Sequence, residues 1–197
     1  MLVWMQATAR KPDGVCAQVK PLLALLAAHG RPLPSGVREG LLRDAAAGSA
    51  NRVDRTLNAY VLLDIHINPE SRVKVTRGPA KADLTSGQEG LVLLRVINEG
   101  GITAPLRLTT PNPKSSAPEA KNARHSGWLN ARLVSAEKSG APPVLGGAPL
   151  EYVALSLSTR ETGFREAVLA FDVGQGTQDL GFRGECPVLF RCHPVKP

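Results

Sequence analysis

Residues 90–97, GLVLLRVI, constrain the fold more than any other stretch. Side chains alternate across a strand, so Val92, Leu94 and Val96 share one face, while Leu91, Leu93 and Ile97 make the other nearly as apolar. A strand apolar on both faces belongs at the centre of a sheet, because neither face gains from contact with water. The next four residues, NEGG, supply a turn. Beyond it Ile102, Ala104, Leu106 and Leu108 alternate with Thr103, Pro105, Arg107 and Thr109. Pro105 has no N–H for a ladder, so this partner strand is expected at a sheet edge or bulge.

The period of the sequence changes near residue 60. Before it, the punctuation is helical. Asp13 caps a turn containing Val15 and Val19, and Pro21 opens a helix whose leucines run to a stop at Gly30. Ser35 caps a second segment ending before Gly48, and Ser49 restarts a third with Val53, Leu57 and Tyr60 at helical spacing. After it, Leu63, Ile65 and Ile67 alternate with Asp64 and His66, and NPES turns the chain into Val73 and Val75. Later strands are expected at Leu129–Ala136, around Val153, Leu155 and Leu157, at Ala167–Val173 and at Cys186–Cys192. The expected fold is mainly β: an antiparallel, immunoglobulin-like sandwich over residues 61–197, preceded by a small helical appendage over residues 1–60 with two or three short helices. Residues 111–127 form a long polar loop without periodicity, of the kind that carries function or moves.

The formal net charge of +7 invites a nucleic-acid reading, and its distribution argues against one. Eleven Lys/Arg against five Asp/Glu lie in residues 71–138, yet Arg72, Lys74, Arg77 and Lys81 are separated by apolar or small residues, as on the wet face of a strand. Two tryptophans, two tyrosines and four phenylalanines offer few platforms for stacked bases. Cys16, Cys186 and Cys192 cannot all pair within the chain; Cys186 and Cys192 share a strand face about 20 Å apart, beyond disulfide reach, and are expected as buried thiols. No apolar run approaches the roughly 20 residues of a membrane span. KPLLALLAAHG imitates a signal peptide, but Asp13 and a helical explanation stand against it. The expected location is cytoplasmic, or the cell envelope if the N-terminus is truncated.

Chemistry is hard to assemble from these residues. VGQGTQDLGFRG superficially resembles a dinucleotide loop, but Asp179 stands where its third glycine should be. His29, His66, His125 and His193 are widely separated; Asp64 and His66 alone share a strand face and could give two metal ligands. Ser86, Ser126 and Ser156 lie in no nucleophile elbow, and Glu151, Glu161 and Glu166 are expected at solvated turns and edges. No catalytic, cofactor-binding or metal residue is assigned. The residues expected to meet a partner are Lys114, Lys121, Arg124 and His125 of the polar loop.

The blocks INPESRVKV, NEGGITAPL and FDVGQGTQDLGFR, within residues 60–193, resemble the non-catalytic N-terminal region of large planctomycete-type bacterial proteins. Those proteins carry a downstream metal-dependent hydrolase domain of the PHP class, similar to carbaryl esterase. The resemblance implies a non-enzymatic accessory module without cofactor, whose partner is that hydrolase domain, another protein or a cell-surface ligand. The alternative it leaves open is a piece of the hydrolase whose active site lies downstream or is completed by another chain.

Overall fold

The computed structural model describes residues 14–110, 127–134, 143–174 and 182–195. Three helices come first: α1 (Gly14–Ala28), α2 (Ser35–Ala46) and α3 (Ala50–Asn58). α1 begins ahead of Pro21 and runs through it, so the expected start at that proline is corrected. Pro21 removes one rung of the hydrogen-bond ladder, and the burial of Val15, Val19, Leu22, Leu23 and Leu26 on both sides of it offsets the loss. Gly30 and Gly48, at φ +69° and +67°, end α1 and α2 as expected. Ser35 and Ser49 sit at helix starts without capping through their side chains, contrary to expectation for Ser35.

Nine strands follow among the described residues: β1 (Val61–Ile67), β2 (Val73–Arg77), β3 (Asp83–Thr85), β4 (Glu89–Asn98), β5 (Arg107–Thr110), β6 (Leu129–Val134), β7 (Leu150–Thr159), β8 (Gly163–Asp172) and β9 (Gly184–His193). They form a five-stranded sheet in the order β2-β1-β4-β7-β6 and a four-stranded sheet in the order β3-β9-β8-β5. Leu63, Ile65, Leu94, Val96 and Leu155 of the first share one apolar cluster with Leu169, Phe171, Val188 and Phe190 of the second. The chain is thus mainly β, with two sheets facing each other across a core.

The purely antiparallel, immunoglobulin-like pattern is corrected to two mixed sheets. β1 pairs with β4 in parallel, and β3 pairs with β9 in parallel. A parallel pair needs a crossover connection, and residues 68–88 provide it through the β2 hairpin and the short β3, which joins the other sheet. β3 was not expected, since three residues carry no readable period.

β4 lies at the centre of its sheet, as its two apolar faces predict. Leu94 and Val96 enter the core between the sheets, while Leu93, with Leu91 partly buried beside it, meets Leu41, Val53, Leu57 and the α1 leucines. The second face is apolar because a helical layer covers it. The strand after NEGG is not the partner of β4: β5 pairs with β8 at the edge of the other sheet. Asn98 sets this departure, accepting from the Ile102 N–H at 2.8 Å and donating to the Ile102 carbonyl at 2.9 Å. Gly101, at φ +62°, completes the loop, and Pro105 makes only an isolated bridge to Val144.

Candidate functional site

Lys114, Lys121, Arg124 and His125 lie outside the described residues, as does the polar loop up to residue 126. The described residues offer three other places where polar or exposed groups converge.

The first is a network between α3 and the five-stranded sheet. Arg95, the one charged residue in GLVLLRVI, donates from Nε and Nη2 to the two oxygens of Asp54, each at 2.8 Å. The Tyr152 hydroxyl donates to Asp54 Oδ1 at 2.7 Å, and Asp64 approaches Arg95 Nη1 at 3.5 Å. Burial works against the charged guanidinium, but its bonds to Asp54 outweigh this and hold its pKa above the ordinary arginine value. Burial, reinforced by Asp54, pushes the Tyr152 hydroxyl far above the usual tyrosine range. A tyrosine held protonated and a carboxylate occupied by arginine make a structural clamp, not an acid–base pair. Asp64 thus faces Arg95, while His66 stands opposite Lys74 in the β1–β2 register. Among the described residues no three His, Cys, Asp or Glu side chains converge as metal ligands.

The second is an open cleft of about 580 Å³ lined by Gln88, Glu89, Trp128, Asn130, Arg160 and Glu161, among others. Glu89 accepts from Ser156 Oγ and, at 2.6 Å, from Arg132, with His29 at 3.8 Å. Ser156, Arg132 and His29 all approach the same oxygen, Oε1, and the Ser156 hydroxyl donates to it directly and not to the imidazole, the wrong order for a histidine to activate a nucleophile. The Ser156 bond, helped by Arg132 against partial desolvation, holds the Glu89 carboxyl below its usual value. A general acid would need the opposite shift. Glu161 pairs with Arg165 at 3.2 Å. Glu151, expected at a solvated turn, is buried instead, its carboxylate accepting from the N–H groups of Gly146 and Ala148 at 2.7 and 3.0 Å. The three glutamates have separate roles.

The third is the outer face of the four-stranded sheet. The inner faces of both sheets are in the core, and helices lie on the outer face of the other sheet, but no described element packs here. The antiparallel β8–β9 register sets Phe164 beside Arg191, Glu166 beside Leu189, Val168 beside Pro187 and Ala170 beside Glu185. Phe164 is 66% exposed, Leu189 60% and Val168 39%. Strand alternation dictates this, because the intervening Ala167, Leu169, Val188 and Phe190 are buried within. The alternation of both strands is legible; that no described element lies on their outer face is not.

Cys186 and Cys192 are buried thiols, as expected, and Cys16 is buried as well. Burial pushes the thiols of Cys186 and Cys192 up, so neither is a ready nucleophile. Two of the central basic residues are engaged within the fold: Arg77 donates to the carbonyls of Leu62 and Ala80, and Arg72 lies over the Phe182 ring at 5.8 Å. No described helix is long and apolar enough to cross a membrane, and the KPLLALLAAHG segment lies largely within α1 against the sheet. Compared with protein-family models and with curated proteins, the chain matches none.

Proposed function

We propose that this chain is a non-catalytic accessory module that works by contact with a protein, as the N-terminal part or a truncated relative of a larger bacterial protein with a metallohydrolase domain. The observation that carries the proposal is the outer face of the four-stranded sheet, where Phe164, Val168 and Leu189 stand exposed on a rigid, hydrogen-bonded platform. Side chains of this size seldom cluster in water without a partner. Glu166, Glu185 and Arg191 frame them with charges of both signs, which suits a protein surface better than a phosphate backbone. The likeness of INPESRVKV, NEGGITAPL and FDVGQGTQDLGFR to the accessory region of PHP-class hydrolases supports the same role.

The test has two arms. The purified chain, supplied with zinc or manganese, is expected to bind neither ion stoichiometrically and to hydrolyse no aryl ester; tight uptake abolished by His66→Ala would overturn the proposal. Phe164→Asp and Leu189→Asp are expected to shift the melting temperature by no more than a few degrees, since exposed sites contribute within about 0.5 kcal/mol. A loss of the size of a core truncation would mean that this face serves the fold and not a partner.

A further inference from the structure

We propose that the outer face of the four-stranded sheet docks a second copy of the same chain, sheet against sheet, about a two-fold axis running across the strands. This rests on taking the face as a contact surface and names what occupies it.

The outward row of β9 reads Glu185, Pro187, Leu189, Arg191: opposite charges at the ends and apolar residues between them. Reversing the direction of such a row exchanges its charges. A copy stacked with its β9 antiparallel over this one therefore sets Arg191 against Glu185 of the second copy at one end and repeats the pair at the other. Leu189 then meets Pro187 of the second copy, also twice. β8 carries less of the match: Glu166 comes opposite Val168 of the second copy, and Ala170, at the level of Glu185, is already fully buried, so the charge pairing along β9 decides the stacking. A surface that complements itself under a two-fold rotation is the requirement for a closed dimer. Sheets stacked face to face, about 10 Å apart, provide the spacing for the side chains to interdigitate.

The other two-fold arrangement, with the axis along the strands, stacks β9 over β8 and sets Arg191 against Phe164 and Glu185 at the level of Ala170 of the second copy, so both charges of β9 are left without an opposite partner there. The charges already present leave the first arrangement open. Glu185 is 64% exposed in its side chain, and among the described residues its ion pair is a long contact with Arg183 at 3.8 Å. Asp83, beside Arg191 in the β3–β9 register, engages His193 at 3.3 Å.

Sedimentation velocity of the purified chain over a wide concentration range tests this. The wild type is expected to form a reversible dimer. Arg191→Glu and Glu185→Arg, each creating two like-charge contacts, are expected to weaken it at least about tenfold, and the double reversal to restore it to within a few-fold. Leu189→Asp is expected to leave a folded monomer by circular dichroism. Dimers indifferent to the single reversals, or single effects that simply add in the double variant, overturn the proposed stacking. A wild type that is monomeric throughout overturns the second copy as the occupant while leaving the non-catalytic role to the metal and ester arms above.

Discussion

Arg95 and Asp54 meet in a two-pronged ion pair, each of two guanidinium nitrogens 2.8 Å from its own carboxylate oxygen, where α3 lies on β4. Both side chains are about a quarter exposed, so the pair is partly withdrawn from water. Removing one partner strands the other. Asp54→Ala is expected to cost about 2 kcal/mol in urea denaturation, because Arg95 is left with Asp64 at 3.5 Å and the Tyr152 hydroxyl with the backbone carbonyl of residue 54 at 3.3 Å in place of its 2.7 Å carboxylate acceptor. Adding Arg95→Met is expected to recover part of that cost. Losses that simply sum would mean the two residues are not coupled.

Asn98 closes the loop that sends the chain from one sheet to the other, using both atoms of its amide on Ile102. Asn98 is 2% exposed, and its alanine variant leaves a partly buried N–H and carbonyl at residue 102 without these partners. Asn98→Ala is expected to cost about 2 kcal/mol and to speed hydrogen exchange at the Ile102 amide, with amides at the middle of β7 unaffected. Uniform acceleration throughout β4 and β7 would contradict so local a role.

Glu89 gives a pH dependence of definite sign. Its folded-state pKa lies below the ordinary carboxylate value of 4.5, chiefly through the Ser156 bond. A group with a depressed folded pKa contributes stability above the unfolded value and loses it as pH falls through the folded one. Thermal melts of the wild type and Glu89→Gln are therefore expected to differ at pH 7 and to converge below the ordinary carboxylate range. The gap is small, since Glu89 is 44% exposed in its side chain and its arginine contact is screened. A gap that widens in acid would refute the assignment.

The three cysteines give a chemical measure of the core. All are buried, two with thiols pushed up by burial. A disulfide reagent at pH 8 is expected to label none of them in the native chain within minutes and all three in guanidinium. Rapid labelling of Cys192 in the native state would show β9 opening locally, since Cys192 lies on its inner face with Phe190.

The sequence made the elements legible where period and composition agreed. The two apolar faces of GLVLLRVI predict a central strand, and the alternation of Cys186, Val188, Phe190 and Cys192 predicts the buried face of β9. Pairing was less legible, because it depends on contacts distant in sequence. Nothing local distinguishes a glycine turn that makes a hairpin from one that crosses between sheets, so β5 was expected beside β4 and lies beside β8. The parallel β1–β4 pair escapes for the same reason. Of the polar sites, Arg95 carried a signal, a charge within an apolar strand; its acceptor Asp54 on α3 carried none. The loop cations Lys114, Lys121, Arg124 and His125 remain outside the described residues, and the exposed row of β8 and β9 takes their place as the candidate contact surface.

The two-sided strand β4 also bears on how the chain is made. Synthesis delivers its helical cover first and β1 next, but β7, its other neighbour, begins only at Leu150, and the strands that close the core below it come later still. Until then the ribosome-bound chain presents Val92, Leu94 and Val96 with nothing to lie against, and an unpaired strand edge beside them. Such a nascent intermediate invites chaperone capture, so the abundance of this protein in the cell will depend on the pace of translation between β4 and β7 as well as on its final stability.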